Sequence, residues 1–307
     1  MPVPLDLART LAVILDEGTL EAAARRLSLT PSAVSQRVRA LEERLGRVVL
    51  IRTKPVHATD AGRAIVRLAR QLDLLEHDAL ADIGADESRT AVVPLAVNAD
   101  SLATWFLPPL ARLTEKRRVV FELHRDDQDF TAGLLESGTV MGAVTSRETP
   151  VAGCRVRALG VLRYEAVAGS AFATRWFPGG ARADALAEAP VVDFDRRDDL
   201  QSRWLTARGV AVSPPRHLVP ASADFATAIR LGLGWGLLPR FQSEEHLASG
   251  ALVSLGGPPV DVPLFWQQWN LTSPLLDAIA DELVAEARRV LPSPQSSLTR
   301  STSLPRA

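Results

Sequence analysis

Residues 19–45 (TLEAAARRLSLTPSAVSQRVRALEERL) constrain the chain most, because they fit two short helices joined by a tight turn. Thr19 is placed to cap the first helix by accepting from a free backbone N–H. Leu20, Ala23, Ala24 and Leu27 recur at helical spacing and make one apolar face. Ser28 and Leu29 leave no room for a wandering loop. Thr30 can cap the second helix, and Pro31 falls in its first turn, where a missing N–H costs nothing. Val34, Val38, Leu41 and Leu45 then face inward, and Gly46 is a natural stop.

The outward face of the second helix carries Ser32, Ser35, Gln36 and Arg39, with Arg37 beside it. Glutamine can pair with an adenine edge and arginine with guanine, while serine adapts to either. The helix start at Thr30 and Pro31 also offers free N–H groups to a phosphate. On these residues alone the alternative is an ordinary helical hairpin with a solvated face.

The stretch LSLTPSAVSQRVRALEERLGRVVLIR resembles the start of a LysR-type transcriptional regulator, with its S-AVS-RI--LE--LG--LF-R run. Lys54-Pro55 and then Ala58-Thr59-Asp60-Ala61-Gly62 resemble that family's entry to a long helix. Between them, residues 48–52 and 56–59 read as two short strands, the wing of a winged helix-turn-helix domain over 1–58. Arg52, Lys54 and His57 lie where a wing would touch phosphate or the minor groove, contacts that position a protein on DNA without specifying sequence.

Charge placement agrees. The whole chain of 307 residues has a formal net charge of −1, which argues against indiscriminate coating of nucleic acid. Residues 21–70, however, hold eleven Arg or Lys against four Asp or Glu. Residues 71–88 hold six acids and no Lys or Arg. A local basic domain on a near-neutral protein suits site-specific binding with an electrostatic component. Cys154 is the only cysteine, so no internal disulfide is expected and a reducing compartment fits. The N-terminus lacks a signal-peptide layout, and no run of about twenty apolar residues exists. The expectation is a cytoplasmic protein without a membrane partner.

From Thr59 to Ile83 there is no proline, and Ile65, Leu68, Leu72, Leu75 and Ala79 repeat at heptad spacing. That is the seam of a two-helix coiled coil, so residues 59–90 are expected to be a linker helix for dimerisation followed by a polar hinge. From residue 91 strands alternate with helices: strands at 91–97, 119–124, 140–145, 155–168, 190–194, 217–220, 236–238 and 262–269, and helices at 102–114, 130–136, 200–207, 223–231 and 274–290. Alternation of this kind predicts an α/β fold of parallel sheets covered on both faces.

The effector domain of LysR-type regulators is similar to a two-lobed periplasmic binding protein. This resemblance implies an effector domain over 91–292, with lobe one at 91–161 and 269–292 and lobe two at 162–268. Residues 293–307, rich in serine and short of large apolar groups, read as a disordered tail.

Ligands in open α/β sheets bind off the carboxyl ends of strands. Here those ends carry Asn98, Asp100, Ser101, Leu102 and Thr104, then Asp126, Asp127 and Thr145. Further along they carry Asp193 and Asp195, with Asp198 and Asp199 close by, and then Ser222 and Asp224. Carboxylates prefer a cation, while N–H and hydroxyl groups hold a carboxylate, so a basic amino acid suits both. Many such acids serve only as solvated caps. The segments AVNADSLATWFLPPL, DDQDFTAGLLESGTVMGAVTS, PVAGCRVRALG and FDRRDDLQ are similar to the arginine/lysine-responsive branch of the family. The resemblance implies lysine or arginine as effector, and control of an amino-acid exporter or metabolic gene.

Catalysis is not expected. HExxH, Walker and GxSxG motifs are missing, and the glycines of 232–236 follow a helix and precede a strand, the reverse of a dinucleotide site. No His/Cys cluster has metal-ligand spacing, so neither cofactor nor metal is expected. A solute-binding protein would need the absent signal peptide. An architectural DNA protein, or an inhibitor of replication initiation, would share the DNA domain but need no effector. The expected partners are double-stranded DNA with an imperfect palindrome, a second copy in a homodimer or tetramer, and RNA polymerase.

Overall fold

A computed structural model of the chain describes residues 2–84, 90–125, 131–211 and 213–293. Its elements run α1 (Leu5–Glu17), α2 (Leu20–Arg26), α3 (Pro31–Leu45), β1 (Leu50–Ile51), β2 (His57–Ala58) and α4 (Asp60–Asp82). Next come β3 (Ala91–Val97), α5 (Ala99–Thr104), α6 (Leu107–Lys116), β4 (Val119–Arg125), α7 (Thr131–Glu136) and β5 (Gly142–Thr145). They continue with β6 (Cys154–Gly169), α8 (Ser170–Trp176), α9 (Ala183–Glu188), β7 (Val191–Asp193), α10 (Leu200–Ala207) and β8 (Arg216–Leu218). The last are α11 (Ser222–Arg230), β9 (Gly236–Pro239), α12 (Arg240–Ala248), β10 (Leu252–Ser254), β11 (Val260–Trp269) and α13 (Pro274–Val290). Among the described residues no helix is long and apolar enough to cross a membrane.

The chain divides into two compact units. The first comprises Met1–Val97, Ala111–Val156 and Trp266–Asp281. The second comprises Asn98–Leu110, Arg157–Phe265 and Glu282–Ala307.

In the first unit the expected helix pair is present as α2 and α3. Thr19 accepts from the Ala22 N–H and Thr30 from the Ala33 N–H, and Gly46 closes α3 in the left-handed conformation. α1 forms a third wall that the sequence did not announce, because its run Leu11-Ala12-Val13-Ile14-Leu15 has no clean helical period. Leu11, Ile14, Ala23, Ala24, Val34, Val38, Leu41, Val49 and Val66 close one core between these helices and α4. The wing strands are shorter than expected, β1 pairing antiparallel with β2 through Leu50 with Ala58 and Ile51 with His57. Glu42 anchors the wing by accepting from the Val49 N–H at 3.0 Å. Thr59 donates to the Val48 carbonyl at 2.7 Å and caps α4 through the Gly62 N–H.

α4 is the predicted long helix, with one correction to its stripe. Ile65 packs onto the core of its own helix-turn-helix domain, because α4 starts against α1 and the wing. Leu68, Leu72, Leu75 and Ala79 remain exposed, while Val66, Ala69, Leu74 and Asp78 are buried. The buried side is seated on loops of the same unit. Arg67 donates to the carbonyls of Ala152 and Gly153, each at 3.1 Å. Arg70 donates to the Gly138 carbonyl and pairs with Asp16 of α1. Asp78 accepts from the Ser273 hydroxyl, which also caps α13 through the Leu276 N–H. Gly138 and Gly153 both have positive φ, and a Cβ on either would run into Arg67. Beyond α4, β3 lies between β4 and β5, all parallel, and the end of β11 flanks β5.

Three expectations about the α/β region change. The helix read at 102–114 is two helices: α5 ends at Thr104, Trp105 and Phe106 are buried, and α6 opens at Leu107. Pro108 and Pro109, lacking N–H groups, suit the first turn of a new helix and not the middle of an old one. In the second unit β7 and β8 are parallel, but β6 pairs antiparallel with β9 and β10. Alternation reports the order of helices and strands, not the direction in which a strand runs. Finally, residues 98–110 and 282–293 belong with the second unit and not with lobe one. α5 packs on α11, and Val161 donates to the Pro292 carbonyl at 3.0 Å. The proposed tail from 294 onward, and residues 85–89 of the hinge, lie outside the described residues.

Candidate functional site

α3 presents the expected face. Thr30, Pro31, Ser32, Gln36 and Arg39 are exposed and Ser35 is half-buried. Arg52, Lys54 and His57 are exposed on the wing. Arg37, read in the sequence as standing beside that face, turns away from it. Its guanidinium turns toward α1 and donates to the Thr10 hydroxyl at 3.1 Å, since position 37 sits at the edge of the buried Val34–Val38 stripe. Arg37 thus braces α3.

The second unit brings together several of the acids picked out in the sequence. Asp100, in the first turn of α5, accepts from the Tyr164 hydroxyl of β6 at 2.7 Å and from the Ser222 hydroxyl of α11 at 2.6 Å. Gln242 of α12 donates its Nε2 to the Ser222 oxygen at 2.9 Å. One carboxylate therefore ties four elements together. Burial pushes the Asp100 carboxyl above the ordinary carboxylate range against these two hydroxyl donors, and the charge of Asp198 adds to the push.

Asp193, at the end of β7, is 2% exposed. One oxygen pairs with Arg216 of β8, which also donates to the Ser202 hydroxyl of α10 at 3.0 Å. Burial raises the Asp193 carboxyl too, Arg216 opposes the rise, and Asp198 again adds to it. Asp198 is itself held by the amide N–H groups of Phe194 and Leu200, each at 3.0 Å. Asp100, Asp193 and Asp198 thus lie within electrostatic reach along one acidic region. The second oxygen of Asp193 and the side-chain oxygens of Gln201 and Gln242 are buried acceptors without a hydrogen-bond partner among the described residues. Asn98 Oδ1 and the Ser101 hydroxyl share that condition. Buried polar groups are normally paired, so these atoms, with the unpartnered Trp105 and Trp235 Nε1 donors of the same unit, mark places where water or a ligand would complete the bonding.

Other expected residues have local duties. Asp195 caps the turn after it, accepting from the Arg197 and Asp198 N–H groups; desolvation pushes its carboxyl up, but these N–H groups and the Arg197 guanidinium together outweigh it and hold the carboxyl below the usual range. Thr104 donates to the Asp100 carbonyl within α5, Leu102 is half-buried, and Asp224 is exposed on α11. Thr145 belongs to the first unit, where its hydroxyl accepts from the Arg147 N–H. Asp126 and Asp127 lie outside the described residues. Tyr164, Gln201, Arg216 and Gln242 escaped the sequence reading. Gln242 stands three residues past the end of β9 on a helix the sequence did not announce, and the other three lie within α10 or on strands away from their carboxyl ends.

Known proteins match both the N-terminal and the C-terminal parts of the chain. Residues 5–63 match the bacterial regulatory helix-turn-helix protein of the lysR family, and residues 90–288 match the LysR substrate binding domain. The chain is 43% identical over 279 residues to the HTH-type transcriptional regulator LysG of Mycobacterium tuberculosis, covering 90% of this chain and 91% of that protein. It is 41% identical over 290 residues to the lysine export transcriptional regulatory protein LysG of Corynebacterium glutamicum, covering 93% and 97%. Full-length LysG of C. glutamicum, solved with bound effector Arg, has a TM-score of 0.76 at 38% identity, covering 94% of this chain and 99% of that one. The relatives are named transcriptional regulators, not enzymes.

Proposed function

The chain belongs to the LysR family of bacterial helix-turn-helix regulators, and from that premise we propose that it senses a basic amino acid, lysine or arginine, in the cytoplasm. Its output is control of a gene for amino-acid export or metabolism. The observation that carries this reading is the acidic region of the second unit. Asp100 is half-buried and Asp193 buried, both are repelled by Asp198, and Asp193, Gln201 and Gln242 offer unpaired acceptors. A cation bearing several N–H groups relieves the repulsion and fills the acceptors together. The C. glutamicum relative, named for lysine export and solved with Arg, supports the same ligand class.

The DNA side follows from α3. Ser32, Ser35, Gln36 and Arg39 read base edges, while Arg52, Lys54, His57 and the N–H groups at Thr30 and Pro31 hold phosphates. Leu68, Leu72, Leu75 and Ala79 of α4 join two copies, or two such pairs in a tetramer. Paired recognition helices then enter successive major grooves of an imperfect palindrome. The effector shifts this assembly by its differential affinity for two arrangements, and so changes recruitment of RNA polymerase.

A thermal-shift screen against the twenty amino acids, followed by footprinting with and without the best of them, tests the proposal. Lysine or arginine raises the melting temperature, glutamate does not, and the same ligand alters a footprint confined to one promoter. A footprint indifferent to every amino acid returns the chain to the architectural or replication-inhibitor reading.

A further inference from the structure

Gln242 lies at the end of a hydrogen-bond relay whose direction follows from the ionised form of Asp100, which two hydroxyl donors favour although burial opposes it. With Asp100 ionised, its two oxygens can only accept, so the Tyr164 and Ser222 hydroxyls must each give their proton to it. Ser222 then has no proton left, and its oxygen can only accept from Gln242. The Gln242 amide must therefore turn its nitrogen toward Ser222, which leaves its oxygen on the other side. That oxygen is buried and has no partner among the described residues. The amide has no rotational freedom with which to find one, because turning over would set its oxygen against the lone pairs of Ser222.

A fixed, buried, neutral acceptor beside an acidic region is a selective element. It offers nothing to a carboxylate and a full hydrogen bond to an N–H. We infer that Gln242 is an effector-contacting residue: its side-chain oxygen accepts from a nitrogen of the bound amino acid, and the Tyr164–Asp100–Ser222 relay orients the amide for that contact. The inference rests on the amino-acid reading of the preceding section. Gln242 lies on α12, beyond all of the strand ends and helix starts at which the sequence placed effector residues.

The test is isothermal titration of the full chain with L-lysine and L-arginine, as wild type, Gln242→Leu and Gln242→Glu. Leucine removes the acceptor, so the affinity falls about tenfold or more. Glutamate keeps an acceptor oxygen toward the ligand but sets its other oxygen against the lone pairs of Ser222, so it binds more weakly than wild type and more tightly than the Leu variant. Effector-free affinity for DNA is the same in all three. Should Gln242→Leu fail to fold, Gln242→Met takes its place. Wild-type binding that survives Gln242→Leu or Gln242→Met intact overturns this inference alone. Equal loss in the Leu and Glu variants together with a lowered effector-free melting temperature also overturns it, because it shows a packing role. A wild-type chain that binds neither lysine nor arginine overturns the effector reading and this inference with it.

Discussion

The outer face of α3 and the acidic region of the second unit are both built from polar side chains, held under opposite conditions. Gln36 and Arg39 stand in water, where solvent satisfies them until another partner arrives. Asp193, Gln201 and Gln242 have been taken out of water with acceptors still unpaired. The first surface costs the fold almost nothing and gains specificity only on contact. The second lowers the stability of the fold for as long as its acceptors lack a donor. A reader of DNA can thus be stable on its own, whereas a sensor is built to be incomplete.

Three substitutions sharpen or break that contrast. Asp193→Ala has the largest effect, because it leaves the three-quarters-buried Arg216 guanidinium without its carboxylate. It costs about 3 kcal/mol in urea denaturation and abolishes the effector-induced thermal shift. A variant as stable as the wild type would mean that the Asp193–Arg216 pair adds nothing to the fold beyond what the relieved acidic repulsion returns. Gln36→Ala comes next. It weakens operator binding by about 2 kcal/mol in gel-shift titration, while random DNA binding and melting temperature hold. Equal loss on random DNA would demote Gln36 to a general backbone contact. Thr30→Ala is the smallest, costing about 1 kcal/mol of unfolding free energy through the lost cap on α3. If it proved larger than Asp193→Ala, the ranking of the two regions would be reversed.

The same contrast explains what could be read in the residues alone. Thr19, Thr30, Pro31 and Gly46 act on neighbours within a few positions, so the α2–α3 pair was legible at nearly its true bounds. The long stretch of α4 without proline was legible for the same reason, and so was part of the order after residue 91, although α8, α9, α12 and β10 went unread and α5 and α6 were merged. Asp100 and Ser222 were picked out because each stands just after a strand end. Their union was not legible, since the contact joins positions 122 residues apart. Tyr164 and Gln242 were invisible because an aromatic residue inside an apolar strand and a glutamine on a polar helix have unremarked reasons to be there. Arg37 and Asp195 show the reverse failure. Each is the right residue type in the right neighbourhood, and each is engaged by a nearer partner that spacing cannot reveal.

The seating of α4 has a mechanical meaning. Arg67 fills the space above two glycines that have no side chain to yield, and Arg70 grips Asp16 at one end and the Gly138 carbonyl at the other. A rod clamped at several points along its length cannot roll beneath its load. Through these bonds α4 joins the loops that carry Gly138 and Gly153 to α1.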